Sequence, residues 1–224
     1  MTTLAAPPSQ PAPAAPPLAT LADLIERLGG VPLHRIRVHP APGTAVEQDV
    51  LEAAKQGLVC ELVDGVLVEV AMGFRESLLA LALGHLLYAF VHPRNLGLVT
   101  GEHGTVRLFP GLVRIPDVAF ASWDRVPGRR VPDEAMPLMA PDLAVEVLSE
   151  GNTPGEMARK RHDYFSAGAR LVWLAEPRLR IVDVCTSESQ VVRLTPADVL
   201  DGGDVLPGFQ LPLRDWFAEL DRHG

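Results

Sequence analysis

Asp117, Glu146 and Lys160 are charged residues placed where the surrounding pattern predicts a core. Glu146 lies in the middle of Asp142-Leu143-Ala144-Val145-Glu146-Val147-Leu148, a run that is apolar on both alternating faces, as in a central buried strand. A carboxylate there costs several kcal/mol unless it is paired or bound to a metal. A solvated edge or an arginine partner would also explain it. Asp117 follows Pro116 in Val113-Arg114-Ile115-Pro116-Asp117-Val118-Ala119-Phe120. Asp is depleted in strands, and the proline implies an edge, a bulge or a strand start. The plainer alternative is a turn aspartate before a strand that begins at Val118. Lys160 stands three residues after Met157 and four before Tyr164, and so shares their apolar helix face. A lysine on that face either enters a site or snorkels to its rim.

These residue types suit hydrolysis of a phosphodiester by water. Two carboxylates hold Mg²⁺ through hard oxygen ligands. The metal polarises a phosphoryl oxygen and lowers the pKa of a bound water. A nearby lysine orients that water or stabilises the transition state. No covalent nucleophile is evident, and no GxSxG elbow is present. His162-Asp163 resembles a catalytic pair, but adjacent helix residues point in different directions. Gly101-Glu102-His103-Gly104 lacks phosphate-loop spacing. The aromatic residues are too scattered for a stacking platform.

The elements that must position the trio follow from punctuation and periodicity. Residues 1–17 form a Pro/Ala tract expected to be a disordered tail. Residues 18–58 read as two short helices (18–28 and 45–57) around a Pro-rich extended loop, with Gly29-Gly30 stopping the first. The folded core, 59–224, opens with two short apolar runs flanking Asp64-Gly65, a strong hairpin signal. Arg75–Val91 has no proline and reads as a buried helix. Gly97–Phe109 suits one or two strands and Leu112–Ser122 another, before a proline-rich loop over 123–141. After the Glu146 strand comes a helix with clear marks: Thr153 as N-cap, Pro154 in the first turn, Glu156 completing a capping box and Gly168 as the stop. Strands are predicted at 171–175, 180–186 and 190–194, and a last short helix at 213–220. The order implies one α/β or α+β domain.

The chain has 224 residues, 47% hydrophobic and 21% charged, as in a globular protein. Two cysteines, Cys60 and Cys185, make no disulfide framework, so a reduced, cytoplasmic setting is expected. No signal peptide is visible, and no apolar run approaches the roughly 18 residues that span a bilayer, so no membrane association is expected. The formal charge of −8 argues against a basic nucleic-acid coat, though a metal site itself needs carboxylates.

The motifs together resemble the PD-(D/E)XK nucleases, and more fully the restriction-endonuclease family often called Uma-two. The similar elements are Cys60-Glu61-Leu62-Val63-Asp64-Gly65, Val113 to Phe120, Ala140 to Ser149, Lys160 with Tyr164 and Gly168, and Leu206-Pro207-Gly208-Phe209 with Leu211-Pro212-Leu213. They span roughly 45–220. The resemblance implies a restriction-endonuclease-like fold with a central mixed β-sheet flanked by helices. It implies a Mg²⁺- or Mn²⁺-dependent endonuclease acting on DNA, and a homodimer. The simple nuclease motif has a lysine two residues after the acid, where this chain has Leu148; in the resembled family the following helix supplies it, matching Lys160. The family often carries a histidine near the start of the long helix, where this chain has Glu76. Glu76 is therefore a candidate third metal carboxylate, or else an ordinary solvated glutamate favoured by the helix dipole. Glu61 and Glu102 are weaker candidates, expected to face solvent, and Arg114 is either a phosphate contact or a surface charge. The rival function is a catalytically inactive nucleic-acid-binding, protein-binding or assembly module on the same scaffold.

Overall fold

The computed structural model describes residues 20–223, so the tract 1–17 lies outside the described residues. The chain passes three times between two main sheets. The smaller has the order β2-β1-β5-β4, built from β1 (Cys60–Val63), β2 (Val66–Glu69), β4 (Val106–Phe109) and β5 (Leu112–Arg114). The hairpin signal holds: Val63 pairs with Val66, and Asp64 and Gly65 both take positive φ, 50° and 72°. Such a turn matches the right-handed twist of the strands it joins.

The larger sheet has the order β10-β9-β8-β7-β6-β3. Its strands are β3 (Gly97–Thr100), β6 (Val118–Ser122), β7 (Leu143–Val147), β8 (Leu171–Glu176), β9 (Ile181–Cys185) and β10 (Val191–Leu194). Only β7 and β8 run parallel, and α4 (Pro154–Ser166) makes the crossover such a pair needs. The sheet is therefore mixed, as expected. A minor hairpin, β11 (Val199–Asp201) with β12 (Gln210–Pro212), leads into α5 (Leu213–Phe217).

Alternation along β7 sorts the two faces. Leu143, Val145 and Val147 pack with Val118, Phe120 and Trp173 under α3 (Phe74–Val91) and α5. Ala144 points the other way, with Val172 and Leu174, toward Met157 and Tyr164 of α4. Glu146 has the parity of Ala144, so period-2 geometry turns it to α4.

Three sequence expectations change. Leu112–Ser122 is two strands in two different sheets, because Pro116 has no N–H for a ladder and the chain crosses between sheets there. The long helix is buried on one side only: Leu79, Leu83 and Leu87 are covered, while Phe74, Leu81 and Tyr88 are exposed. Phe74–Arg94 also meets the length and hydropathy of a membrane span, with mean hydropathy 1.3.

The N-terminal helices, α1 (Leu21–Arg27) and α2 (Glu47–Lys55), pack on the smaller sheet. The segment after α1 also grips the start of α4. A Cβ at Gly155 would stand 2.5 Å from the Gly29 carbonyl oxygen, so the two backbones touch. Thr153 donates its hydroxyl to that same oxygen at 2.6 Å. Buried Arg35 donates to both carboxylate oxygens of Glu156 and to the Gly151 carbonyl. The predicted capping box of Thr153 and Glu156 is present, with Pro154 at the first turn and Gly168 at φ 99° just past the end.

Candidate active site

The site forms where the chain crosses from β5 to β6. Ile115 and Pro116 make the crossing, so Asp117 arrives beside the end of β7: its N–H donates to the Val145 carbonyl at 3.0 Å, and its Oδ2 accepts the Val147 N–H at 2.6 Å. Asp117 does stand just before a strand starting at Val118, yet it is buried rather than a turn residue in water. Its Oδ1 takes no hydrogen bond from a described residue. Two clefts meet at this side chain, one of about 500 Å³ along α3 and one of about 120 Å³ beside Val70 and Met72.

Glu146 is neither on a solvated edge nor paired to arginine. Lys160 donates to its Oε2 at 2.8 Å and the Tyr164 hydroxyl to its Oε1 at 2.6 Å. Lys160 therefore does not snorkel; at 2% exposure it lies between Glu146 and Glu61, whose Oε1 is 3.0 Å away. It is one of only two lysines in a chain with 20 basic residues, although arginine serves the other buried ion pairs. A lysine suits a cramped site because its ammonium is a compact point charge.

Glu61 and Arg114 are the residues that sequence reasoning undervalued. Glu61 is 1% exposed, not solvent-facing, because all four residues of β1 are covered. It accepts from Arg114 Nη1 at 2.7 Å and from the Ile115 N–H at 3.1 Å. Arg114 is likewise buried, and its Nε donates to Asp163 at 3.0 Å. Asp163 in turn accepts from Arg159, which reaches Asp64 on the β1–β2 turn. His162 faces away, toward exposed Glu188. The signal for Glu61 lay in its partner: an arginine inside the apolar run Leu112–Ile115 needs a buried anion.

The charges do not balance evenly. Burial, then the neighbouring Glu146, pushes the Asp117 carboxyl well above its ordinary pKa; Lys160 and the Val147 N–H oppose this without overcoming it. Burial also raises Glu146 despite Lys160. Burial would raise Glu61 too, but Lys160 and Arg114 outweigh it and hold it at about 2. Burial pulls Lys160 down, yet Glu146 and Glu61 carry it above its ordinary value. Lys160 is thus a fixed cation. The surplus of negative charge falls on Asp117 and Glu146.

That surplus is what a divalent cation would neutralise. Among the described residues no three His, Cys, Asp or Glu side chains gather as a ready metal cage. Mg²⁺, however, is commonly held by one or two carboxylates, with waters and substrate phosphates completing its octahedron. Asp117, with an oxygen that accepts from no described residue, and the neighbouring Glu146 are a donor set of that kind. Glu76 is half-buried in the first turn of α3, its Oε2 only 2.4 Å from where a Cβ on Gly73 would stand. It does not line either cleft at Asp117, whereas Ser77 does, and Glu102 lines both from an exposed position.

The sequence model of the Uma2 family, described as "putative restriction endonuclease", matches residues 47–214. A search of curated proteins finds no match. Among solved structures, the crystal structure of a "putative nuclease belonging to DUF820" from Anabaena variabilis is similar, with a TM-score of 0.68. Identity is 18%, and the alignment covers 78% of this chain and 98% of that one, a likeness of fold.

Proposed function

The chain belongs to the Uma2 family, and from that premise we propose that it is a divalent-metal-dependent endonuclease hydrolysing DNA phosphodiester bonds. The observation that carries the reading is a pair of buried carboxylates beside a buried lysine: Asp117 has an oxygen that accepts from no described residue, and Glu146 is fixed by Lys160 and Tyr164. Asp117 and Glu146 would hold Mg²⁺ or Mn²⁺, with Glu76 a further candidate from α3. When bound, the ion supplies Lewis-acid polarisation of a phosphoryl oxygen and a lowered pKa for the attacking water.

The protein's own groups divide the remaining work. Tyr164 fixes one Glu146 oxygen at 2.6 Å, and Lys160 the other at 2.8 Å, so the carboxylate cannot swing. Lys160 is held protonated and cannot accept a proton; it serves as a donor and as fixed positive charge for the developing pentavalent phosphorane. Arg114 and Glu61 are positioning residues, since Glu61 sets the depth of the Lys160 ammonium. The free, buried cysteines suit action in a reducing cytoplasm.

A second reading, a non-catalytic binding or assembly module, is favoured by one observation. Arg37, Arg107, Arg125, Arg180 and Arg193 all pair with carboxylates of this chain, leaving few cations to meet phosphates. Plasmid nicking with Mg²⁺ or Mn²⁺ separates the two. Wild type is expected to nick, while Glu146→Ala and Lys160→Ala lose about 10²- to 10³-fold or more, the scale of removing one preorganised electrostatic group. Equal nicking by all three would overturn the site; no nicking by wild type on duplex, single-stranded or RNA substrates would favour the binding module.

A further inference from the structure

We infer that the cleft of about 500 Å³ along α3 holds an unpaired nucleobase next to the scissile phosphate, so that the substrate is single-stranded or locally unpaired DNA. The inference rests on the nuclease reading only for the place of that phosphate at Asp117. Ser77, Ala80, Gly84 and Tyr88 recur at spacings of three and four and form the helix wall of the cleft. The first three are small, and Gly84 lets a flat ligand come close to the helix backbone. His85 lines the cleft as well, three residues before Tyr88. The ring of Tyr88 is braced against His92, with centroids 4.9 Å apart. Aromatic residues are scattered along the sequence, yet the fold brings the rings of His85 and Tyr88 to one cleft. That cleft ends on buried Asp117, whose Oδ1 accepts from no described residue.

The lining decides which part of a nucleic acid fits. None of the described residues that line the cleft is a lysine or an arginine, and the acidic ones are Glu102 and Asp117. A run of phosphates needs cations, so phosphates beyond the scissile one find no partner here. Most of the lining is apolar, which suits the face of a base rather than its polar edge. In duplex DNA each base face is covered by its neighbours, and a protein meets phosphates and edges. Faces are free only where a strand is unpaired, and aromatic side chains then take them by stacking. A cleft with rings in its wall and no cation therefore selects unpaired strand.

Size places the base on the α3 side of Asp117. The larger cleft, about 500 Å³, lies within the roughly 300–1,000 Å³ of small-ligand sites, whereas the cleft of about 120 Å³ beside Val70 and Met72 falls below it. A base and its phosphate are joined through one sugar, so a base in the larger cleft keeps its own phosphate near the end where Asp117 stands. Intact duplex would first have to unstack a base. That step is hardest where pairing is perfect and easiest at mismatches, and negative supercoiling favours it. Substrates are thereby ranked: single strand first, mismatched or supercoiled DNA next, relaxed duplex last.

Wild type with Mg²⁺ or Mn²⁺ should cut a single-stranded oligonucleotide at least about 10-fold faster than its fully paired duplex, and supercoiled plasmid faster than relaxed closed plasmid. Tyr88 is 52% exposed, so Tyr88→Ala should fold with unchanged circular dichroism. It should raise KM for the single strand by about 10-fold with kcat near wild type, the scale of losing one stacked aromatic. Tyr88→Phe, which keeps the ring, should behave like wild type. A second readout needs neither metal nor cleavage. Asp117→Asn removes the charge that would repel a phosphate in chelator, and a single strand carrying 2-aminopurine should lose fluorescence on binding this variant as the base stacks. Adding Tyr88→Ala should remove that quenching. Duplex cut as fast as single strand, or a Tyr88→Ala protein equal to its parent in both readouts, would overturn the inference and leave the nuclease reading intact. Quenching without cleavage of any substrate would uphold the base site and overturn the nuclease reading instead; neither quenching nor cleavage would overturn both.

Discussion

Asp117→Asn is expected to abolish metal-dependent nicking, by about 10³-fold or more, and at the same time to make the metal-free protein more stable. The two effects share a cause. Asp117 is 6% exposed, and burial and Glu146 both disfavour its charge. Asparagine keeps the side-chain oxygen that accepts the Val147 N–H at 2.6 Å, so the substitution removes charge with little loss of packing. A gain of even ~1 kcal/mol raises Tm by about 2–4 °C in a chain of this size.

The pH dependence has a definite sign. The folded-state pKa of Asp117 lies above its unfolded value of about 3.9. Between those two values the native state binds more protons than the unfolded state, so this residue makes stability fall as pH rises. The penalty is absent below the unfolded pKa and complete above the folded one. The melting-temperature advantage of Asp117→Asn over wild type should therefore be small in acid and widen toward neutral pH. Mg²⁺ should narrow it again, because a ligand that binds only the native wild-type site stabilises that form. Calorimetry from acid to neutral pH, with chelator and with Mg²⁺, reads all three effects. A variant that melts below wild type at every pH in chelator would show that Asp117 is a structural anion rather than a charge waiting for a cation.

Glu146 and Lys160 were legible in the sequence because each breaks a strong one-dimensional pattern: a run apolar on both faces, and an apolar helix stripe between well-marked caps. Glu61 was not. In Cys60-Glu61-Leu62-Val63 it alternates with apolar residues, which reads as one face in water. The alternation holds, but α4 covers the second face, and no local pattern encodes which distant helix lies over a strand. The same limit applies to Leu112–Ser122. Its composition is that of one strand, and only Pro116 marks that the chain leaves one sheet for another there. For α3 the difficulty was reversed. Both of its faces are apolar, so hydropathy alone could not separate the side under the sheet from the side in water. The position of Glu76 in the first helical turn was readable; the direction of its side chain was not, since that depends on the Gly73 backbone beneath it.

Arg114→Met is expected to be among the most destabilising single substitutions in the chain, costing about 3 kcal/mol or more, since removing one partner of a buried pair strands the other charge. Arg114 is 3% exposed and joins Glu61 to Asp163, both at least as buried. Its loss leaves Glu61 with Lys160 and the Ile115 N–H, and Asp163 with Arg159. Lys160 would then be the nearest cation for three carboxylates rather than two, and its hold on Glu146 would loosen. Nicking should fall further than the folded fraction does, which a purely structural arginine would not cause. Arg180→Met is the control: its partner Asp221 is exposed, and solvent screens such a pair so that it adds little to stability. Urea denaturation should show a much lower midpoint for Arg114→Met at unchanged slope, and a near wild-type midpoint for Arg180→Met. Adding Glu61→Gln and Asp163→Asn to Arg114→Met should recover much of the stability, because the stranded charges are gone, without recovering nicking, because Lys160 has lost the anion that sets its depth. Equal midpoints for Arg114→Met and Arg180→Met would mean that the buried chain of charges contributes nothing to the fold and cannot be what holds Lys160 in place.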